Sequence, residues 1–419
     1  MTNNTTLNGR EKIKVLVLPS DTSGVGKMRS VDPHLSLQKM YSDDYEIDID
    51  YEPKINDANY WKKYHIVHIH RNIGHSYEIN LQIMDYLKRL GIVTIIDIDD
   101  YWLPTKEHPI HSLILHNKIH EKIIENIKRA DYVTTTTTFF ADEIIKYNKN
   151  VYIFPNAIDP TEKQFNEPKT DCDRIRVGWL GGSSHYWDLK LMDGFIEKNK
   201  TINDKIQYVL CGFDTRGTIT EMNPKTGEQK KRDMRPEETI WSKYEMIFTN
   251  NYKILNDDYI KFLKMYYNGE YASDETLPYR RVWTLPVDTY ATNYSKFDIS
   301  LAPIKNHIFN RVKSQLKVIE AGFYKKALIA SNIGPYTIDL KHSLNNGIFS
   351  DGNALLVDEH KNHSDWSKYI KKLVDNPSMI EDMGNRLYET VKDTYDIRNV
   401  SKVRDQFYKE IVRVPQLNV

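Results

Sequence analysis

Short apolar runs rich in β-branched residues recur along this chain, separated by segments long enough for helices. The first series is IKVLVL (13–18), HIVHIH (65–70), IVTIIDI (92–98), DYVTTTT (131–137) and VYIFPNAID (151–159). The second is RIRVGWLGG (174–182), IQYVLCGF (206–213), FDISLAPI (297–304) and ALIAS (327–331). Runs of this kind fit strands buried on both faces, and strands that alternate with helices are joined by crossovers. The order predicts an α/β fold of two doubly wound, mostly parallel sheets. A chain of 419 residues exceeds what one core usually holds, which agrees with two domains. The polar stretch PTEKQFNEPKTDCDR (160–174) is placed as the linker. The expected organisation is an N-terminal domain at 1–160 and a C-terminal domain at 161–395. The latter carries a polar insertion at about 214–281, in which Tyr244, Phe248, Tyr252, Leu255 and Tyr259 nearly fit one helix. Trp366, Tyr369, Ile370, Leu373 and Val374 mark an amphipathic helix. Val400, Val403, Phe407 and Ile411 mark a last one, at 396–419, expected to pack back on the N-terminal domain. The threonine run 134–138 reads as a β-branched strand passing into a helix N-cap.

Composition narrows the function. Lys+Arg and Asp+Glu both number 58, so the net charge is zero. A dedicated nucleic-acid binder normally carries a basic excess. Cys172 and Cys211 have no motif spacing, which argues for a reducing compartment and against a zinc site. The opening MTNNTTLNGREK lacks the apolar core of a signal peptide, and no apolar run approaches the roughly 20 residues needed to span a bilayer. The expectation is a cytoplasmic protein.

In doubly wound folds ligands bind beyond the C-terminal ends of the strands, so the loops there are the candidates for chemistry. SDTSGVGKMRS (20–30) places Gly24 and Gly26 before a helix start, with Lys27 and Arg29 close by. It is not a P-loop, because Asp21 stands where the first glycine belongs and Met28 follows Lys27. A dinucleotide fingerprint fails for want of its third glycine. A tight turn and an anion- or acceptor-facing loop both remain open. VTIIDIDDYW (93–102) ends a strand in Asp97, Asp99 and Asp100. These fit a metal–diphosphate site, a general base or hydroxyl-polarising carboxylate, or a turn cap. VGWLGGSSHYWDL (177–189) sets Gly181, Gly182 and Ser183 before His185. That pattern fits a diphosphate-binding loop or a plain N-cap. His68 and His70 share a strand face without a third ligand, and read as core or cleft-lining residues. His116 and His120 lack the glutamate of a zincin.

The stretch FNRVKSQLKVIEAGFYKKALIAS (309–331) is basic, with the single acid Glu320. Val312, Leu316, Ile319 and Phe323 repeat at the helical period. Asn310, Lys313, Lys317 and Glu320 form a second, polar stripe, with Ser314 beside Lys313. The stripe is either a solvated face or an anion pocket that also needs one carboxylate.

These residues resemble the GT-B nucleotide-sugar glycosyltransferases of the large retaining class. GVGKMRSVDPHLSL is similar to that family's first glycine loop, VYIFPNAID to its end-of-first-domain strand, and VGWLGG to the opening of its donor domain. The pattern N-x-x-K-S-x-L-K-x-x-E, met here from Asn310 to Glu320, resembles a subgroup common in bacterial surface-polysaccharide loci and in phages. The resemblance implies two Rossmann-like domains facing a central cleft. It implies transfer of a sugar from a nucleotide diphosphate to an acceptor hydroxyl, with retention, and with no metal or other cofactor. The acceptor it suggests is a glycan, with a hydroxymethylated DNA base or a non-catalytic sugar-nucleotide-binding protein as alternatives. Glu320 matches the second Glu of the family's E-x7-E motif, which binds the ribose, while Val312 stands where the first Glu belongs. Lys313, Ser314, Lys317 and the loop 181–185 would take the diphosphate, and Asn310 or Lys313 would replace the missing sugar contact. Asp99 or Asp100 takes the place of the family's histidine near the anomeric carbon, with Asp100 orienting or deprotonating the acceptor.

Overall fold

The computed structural model of the chain describes residues 11–73, 76–108, 110–213, 218–222, 226–235, 238–249 and 279–413. They fall into two compact units. The first is drawn from Met1–Pro160, His307–Ile319 and Val391–Val419, the second from Thr161–Asn306 and Glu320–Thr390.

The first unit is built on six parallel strands: β1 (Ile13–Leu18), β2 (Tyr45–Ile49), β3 (Ile66–His70), β4 (Val93–Asp97), β5 (Tyr132–Thr135) and β6 (Val151–Ile153). Their order is β2-β1-β3-β4-β5-β6. Side chains alternate across a strand, and here both faces are covered. Leu16, Leu18, Val67, Ile69 and Ile96 pack on one side with Trp61, Leu87 and Phe140. Val15, Val17, Ile66 and Ile95 pack on the other with Leu37, Phe154 and Phe407. This is why the runs are continuously apolar; each buried side chain of this size contributes roughly 1.5–3 kcal/mol.

The last helix, Ile397–Arg413, lies in this unit and buries Val400, Phe407, Tyr408 and Ile411. Val403 is 54% exposed, contrary to the expected stripe. The buried face turns instead through Arg404, whose guanidinium sits 4.3 Å over the Phe154 ring. Thr137 caps the helix Thr138–Ile144 by accepting from Phe140 N, as the threonine run predicted.

The second unit holds β7 (Ile175–Leu180), β8 (Ile206–Phe213), β9 (Thr218–Met222), β10 (Gln229–Asp233), β11 (Tyr279–Trp283), β12 (Ile299–Ala302), β13 (Ala327–Ser331), β14 (Leu344–Asn345), β15 (Ile348–Phe349) and β16 (Leu355–Val357). Six of them form a parallel sheet in the order β11-β8-β7-β12-β13-β16. The helix Asn362–Val374 packs Trp366, Tyr369, Ile370 and Leu373 onto it. The region expected as a polar insertion contributes more than surface. It supplies the edge strand β11, and the helix Ile240–Thr249 buries Trp241, Tyr244, Ile247 and Phe248 in the main core. The continuation of that apolar pattern through Tyr252, Leu255 and Tyr259 lies outside the described residues.

One expected helix is two. Residues 309–323 divide into the helices Ile308–Arg311 and Leu316–Phe323. Between them Val312 is drawn into the first unit's core, and Gln315 donates to the Tyr395 hydroxyl at 2.7 Å. Among the described residues no helix is long and apolar enough to cross a membrane.

Candidate functional site

Each sheet reverses its strand order once: between β1 and β3 in the first unit, and between β7 and β12 in the second. At such a point neighbouring loops leave in opposite directions and open a crevice at the strands' C-terminal ends.

In the first unit the loop after β1 is closed on itself. The Asp21 carboxylate accepts from Ser23 N at 2.8 Å, Gly26 N at 3.2 Å and the Ser23 hydroxyl, and its other oxygen accepts from Ser20 at 2.8 Å. Burial pushes this carboxyl up, but the serine and backbone donors outweigh it and hold it below its usual value. A Cβ on Gly26 would meet Asp21 O at 2.1 Å, so only glycine fits there; Gly24 begins the short turn Gly24–Gly26. Lys27 pairs with Asp32 at 3.2 Å. Arg29 is buried. It forks onto Asp97 at 2.7 and 2.9 Å and donates to Phe154 O and to Asn156 Oδ1. Among the anion-binding groups read from this loop, Arg29 and the N–H groups of Ser23 and Gly26 are thus engaged by the protein's own acids and carbonyls.

The acidic strand end is likewise internally paired. Arg71 donates to Asp99 at 2.6 and 2.8 Å and to Asp100 at 2.7 Å, and His70 Nε2 lies 3.4 Å from Asp99. Burial raises the Asp99 carboxyl, yet Arg71 and His70 prevail and hold it well below the usual carboxylate range. Asp100 is the more exposed of the two, at 46% of its side chain against 12%. Arg71 has φ 59°, left-handed for a side chain that rarely adopts it, at a cost of about 1–3 kcal/mol. The backbone is held there by Arg71 N donating to Asp97 O and by Asn80 donating to Arg71 O. Ser20 Oγ is 3.0 Å from His70 Nδ1, which completes the row Asp21, Ser20, His70, Asp99, Arg71, Asp100. No sequence motif marks Ser20 or Arg71, and the sequence alone gives His70 as a core or cleft-lining residue. All three sit at the ends of β1 and β3, where the strand order, had it been known, would have pointed. His68 faces the interior against His34, with ring centroids 4.6 Å apart.

Asn310, Lys313, Ser314 and Lys317 belong to the first unit. Asn310 is buried, Lys313 Nζ lies 4.8 Å over the Phe309 ring, and Ser314 accepts from Asn156 at 3.0 Å. The helix break separates Asn310, Lys313 and Ser314 from the helix Leu316–Phe323, which carries Lys317 and Glu320.

The second unit's crevice is built differently. Gly181, Gly182 and Ser183 follow β7. The Tyr244 hydroxyl pins this loop by donating to Gly182 O at 3.2 Å and accepting from His185 N at 2.9 Å. Gly212, at φ 93°, lets the end of β8 pass under it: a Cβ there would meet Gly181 O at 2.2 Å. The N–H groups of Gly182 and Ser183 make no hydrogen bond among the described residues. Both residues line a cavity of about 600 Å³ with Thr239, Trp241, Lys243 and Thr284. His185 Nδ1 is 2.8 Å from Asp188, whose other oxygen accepts from Lys305 N, in the loop after β12, at 2.8 Å. Glu320 is buried and accepts from the Tyr290 hydroxyl and, at 2.8 Å, from Tyr294. Burial first, then Glu320, pushes the Tyr294 hydroxyl well above its usual value, so it stays a donor. Among the described residues no group of three or more His, Cys, Asp or Glu is arranged to hold a metal ion.

No family model matches the chain, and no curated relative matches it in sequence. Solved structures do match in fold. An alpha-glucosyltransferase in complex with UDP-glucose and DNA containing an abasic site superposes with a TM-score of 0.58 at 12% identity, over 95% of this chain and 99% of that one. Anabaena HepE in complex with UDP gives 0.53 at 10% identity, over 96% and 100%. A UDP-forming alpha,alpha-trehalose-phosphate synthase from Burkholderia vietnamiensis gives 0.54 at 8%, over 98% and 99%. With its two parallel six-stranded sheets, the chain has the GT-B fold.

Proposed function

We propose that the chain is a glycosyltransferase that moves a sugar from a nucleotide-diphosphate sugar to an acceptor hydroxyl, with retention of configuration and without a metal, and that the acceptor is a glycan. The observation that carries this is the loop after β7. It offers the N–H groups of Gly182 and Ser183, and beside them His185, at the reversal point of the second sheet. Hydrogen-bond donors fixed in advance where a diphosphate leaves are the largest catalytic contribution such a site makes. Glu320, a buried carboxylate braced by Tyr290 and Tyr294, is the group that would meet the ribose hydroxyls. In the first unit Asp100 suits the acceptor, because only one of its oxygens is held by Arg71. Asp99, locked by Arg71 and held ionised, is the fixed charge beside it. Two of the known structures that share the fold, HepE and the alpha-glucosyltransferase, were solved with UDP and with UDP-glucose, which supports a nucleotide-sugar donor.

A second reading, transfer to a modified base in DNA, is favoured by the likeness to the glucosyltransferase solved with DNA. Both are tested by incubating the pure protein with UDP-, GDP-, ADP- and CMP-sugars. The acceptors are oligosaccharides or a duplex carrying a hydroxymethylated base, with and without EDTA. Glycan product in EDTA, its new linkage matching the donor anomer by NMR, is the expected result. Product on the duplex alone selects the second reading. Nucleotide-sugar binding with neither turnover nor product defeats the enzymatic proposal.

A further inference from the structure

Asp188 ties together the two loops flanking the reversal point of the second sheet. It is 5% exposed. One oxygen meets His185 Nδ1, just after β7, and the other takes the backbone N–H of Lys305, just after β12. As a carboxylate it can only accept, so His185 Nδ1 carries its proton toward Asp188 and a ligand contact falls to Nε2. The ring is held from a further side by Trp179, edge-on at 5.9 Å, and its backbone N–H by Tyr244. Charged or titratable groups among the described residues near the pair include Lys305, whose Nζ lies over the Trp187 ring, Lys243 over the Tyr186 ring, and Tyr244 and Tyr336, which feel the Asp188 charge. A carboxylate beside an imidazole favours its protonated form. An imidazole oriented by a carboxylate, next to two open backbone N–H groups, is chemistry for a diphosphate.

We infer that Asp188 is a positioning residue that fixes the ring and favours the charge of His185, making His185 the proton-dependent contact to the donor's diphosphate. The inference rests on the donor reading above. It is tested by calorimetric titration of the full chain with UDP, GDP, ADP and CDP between pH 5.5 and 8.5. The proteins are wild type, Asp188→Asn, His185→Ala and the double variant, with the melting temperature of each recorded. Asn keeps an acceptor for Lys305 N, which limits structural damage.

The best-bound diphosphate should bind about tenfold weaker to His185→Ala at the acidic end, the size of one lost charge-assisted hydrogen bond. His185→Ala also carries the ligand's own titration and serves as its baseline. Against it, wild-type affinity should decline through the imidazole range, and Asp188→Asn should move that decline to lower pH. The double variant should bind like His185→Ala alone, since a residue acting through another adds nothing once that partner is gone. If Asp188→Asn weakens binding equally with and without His185, Asp188 is merely structural and the inference fails. A diphosphate bound with no dependence on either residue also overturns it, but leaves the donor reading standing. No binding of any diphosphate overturns both.

Discussion

Two glycine loops occupy equivalent places in the two units, each after the first strand of its sheet and beside the reversal of strand order, yet they are built to opposite ends. The loop after β1 fills its own N–H groups with the Asp21 carboxylate and its arginine with Asp97. The loop after β7 is pinned from behind by Tyr244 and leaves Gly182 and Ser183 open toward a cavity. Glycines before a helix start therefore do not by themselves leave N–H groups open. What decides is whether an internal carboxylate reaches the loop first.

The largest effect expected from breaking this contrast is at Arg29. Arg29→Ala leaves Asp97, fully buried, without its partner, and should cost about 3–5 kcal/mol in urea unfolding. Nucleotide binding per folded molecule should be unchanged, since the loss is structural. Acid should act next. Burial, followed by nearby charges, holds His34 and His68 well below the ordinary histidine value, so both are neutral when folded. Below about pH 6.5 only the unfolded chain takes up those protons, so stability falls with falling pH, by about 1.4 kcal/mol per histidine per pH unit. The check is a series of unfolding curves from pH 7.5 to 5, and a flat series would contradict the neutral assignment. Tyr294→Phe removes a buried donor from Glu320 and should cost about 1–3 kcal/mol, and it should weaken nucleotide binding as well. Asp21→Ala should cost only about 1 kcal/mol and should open the first loop to inorganic phosphate, detectable as a rise in melting temperature with phosphate that wild type lacks. Smallest in stability is Gly182→Ala, within about 0.5 kcal/mol, because an added Cβ meets no atom within 4 Å. If that methyl nevertheless weakens diphosphate binding, the cavity side of the loop is where the ligand lies.

The sheets were legible because period and length speak directly: continuous apolar runs became β1, β3, β4, β7, β8, β12 and β13 as expected. The helix break at 312–315 was not legible. It arises from Val312 and Gln315 packing against residues far away in sequence, which outweighs a local helical pattern. Val403 failed for a similar reason, since a cation–π contact from Arg404 drew the buried face of the helix away from it. In the candidate site the spacing in sequence singles out the loops and the acids. Their partners were not, because Arg71, Ser20 and Asp188 acquire meaning only when strand order places them beside His70, Asp99 and His185. The row of charges in the first unit shows the same limit: nothing in the spacing of the three aspartates points to the two arginines that pair with them.

The most direct test of the donor reading is the melting temperature of wild type and Glu320→Ala with UDP, GDP, ADP, CMP and their common sugars. One base should raise the melting temperature, by the equivalent of about 2.7 kcal/mol at a hundredfold excess over its Kd. That rise should vanish in Glu320→Ala. A wild-type melting temperature unmoved by every nucleotide and nucleotide sugar would contradict the account.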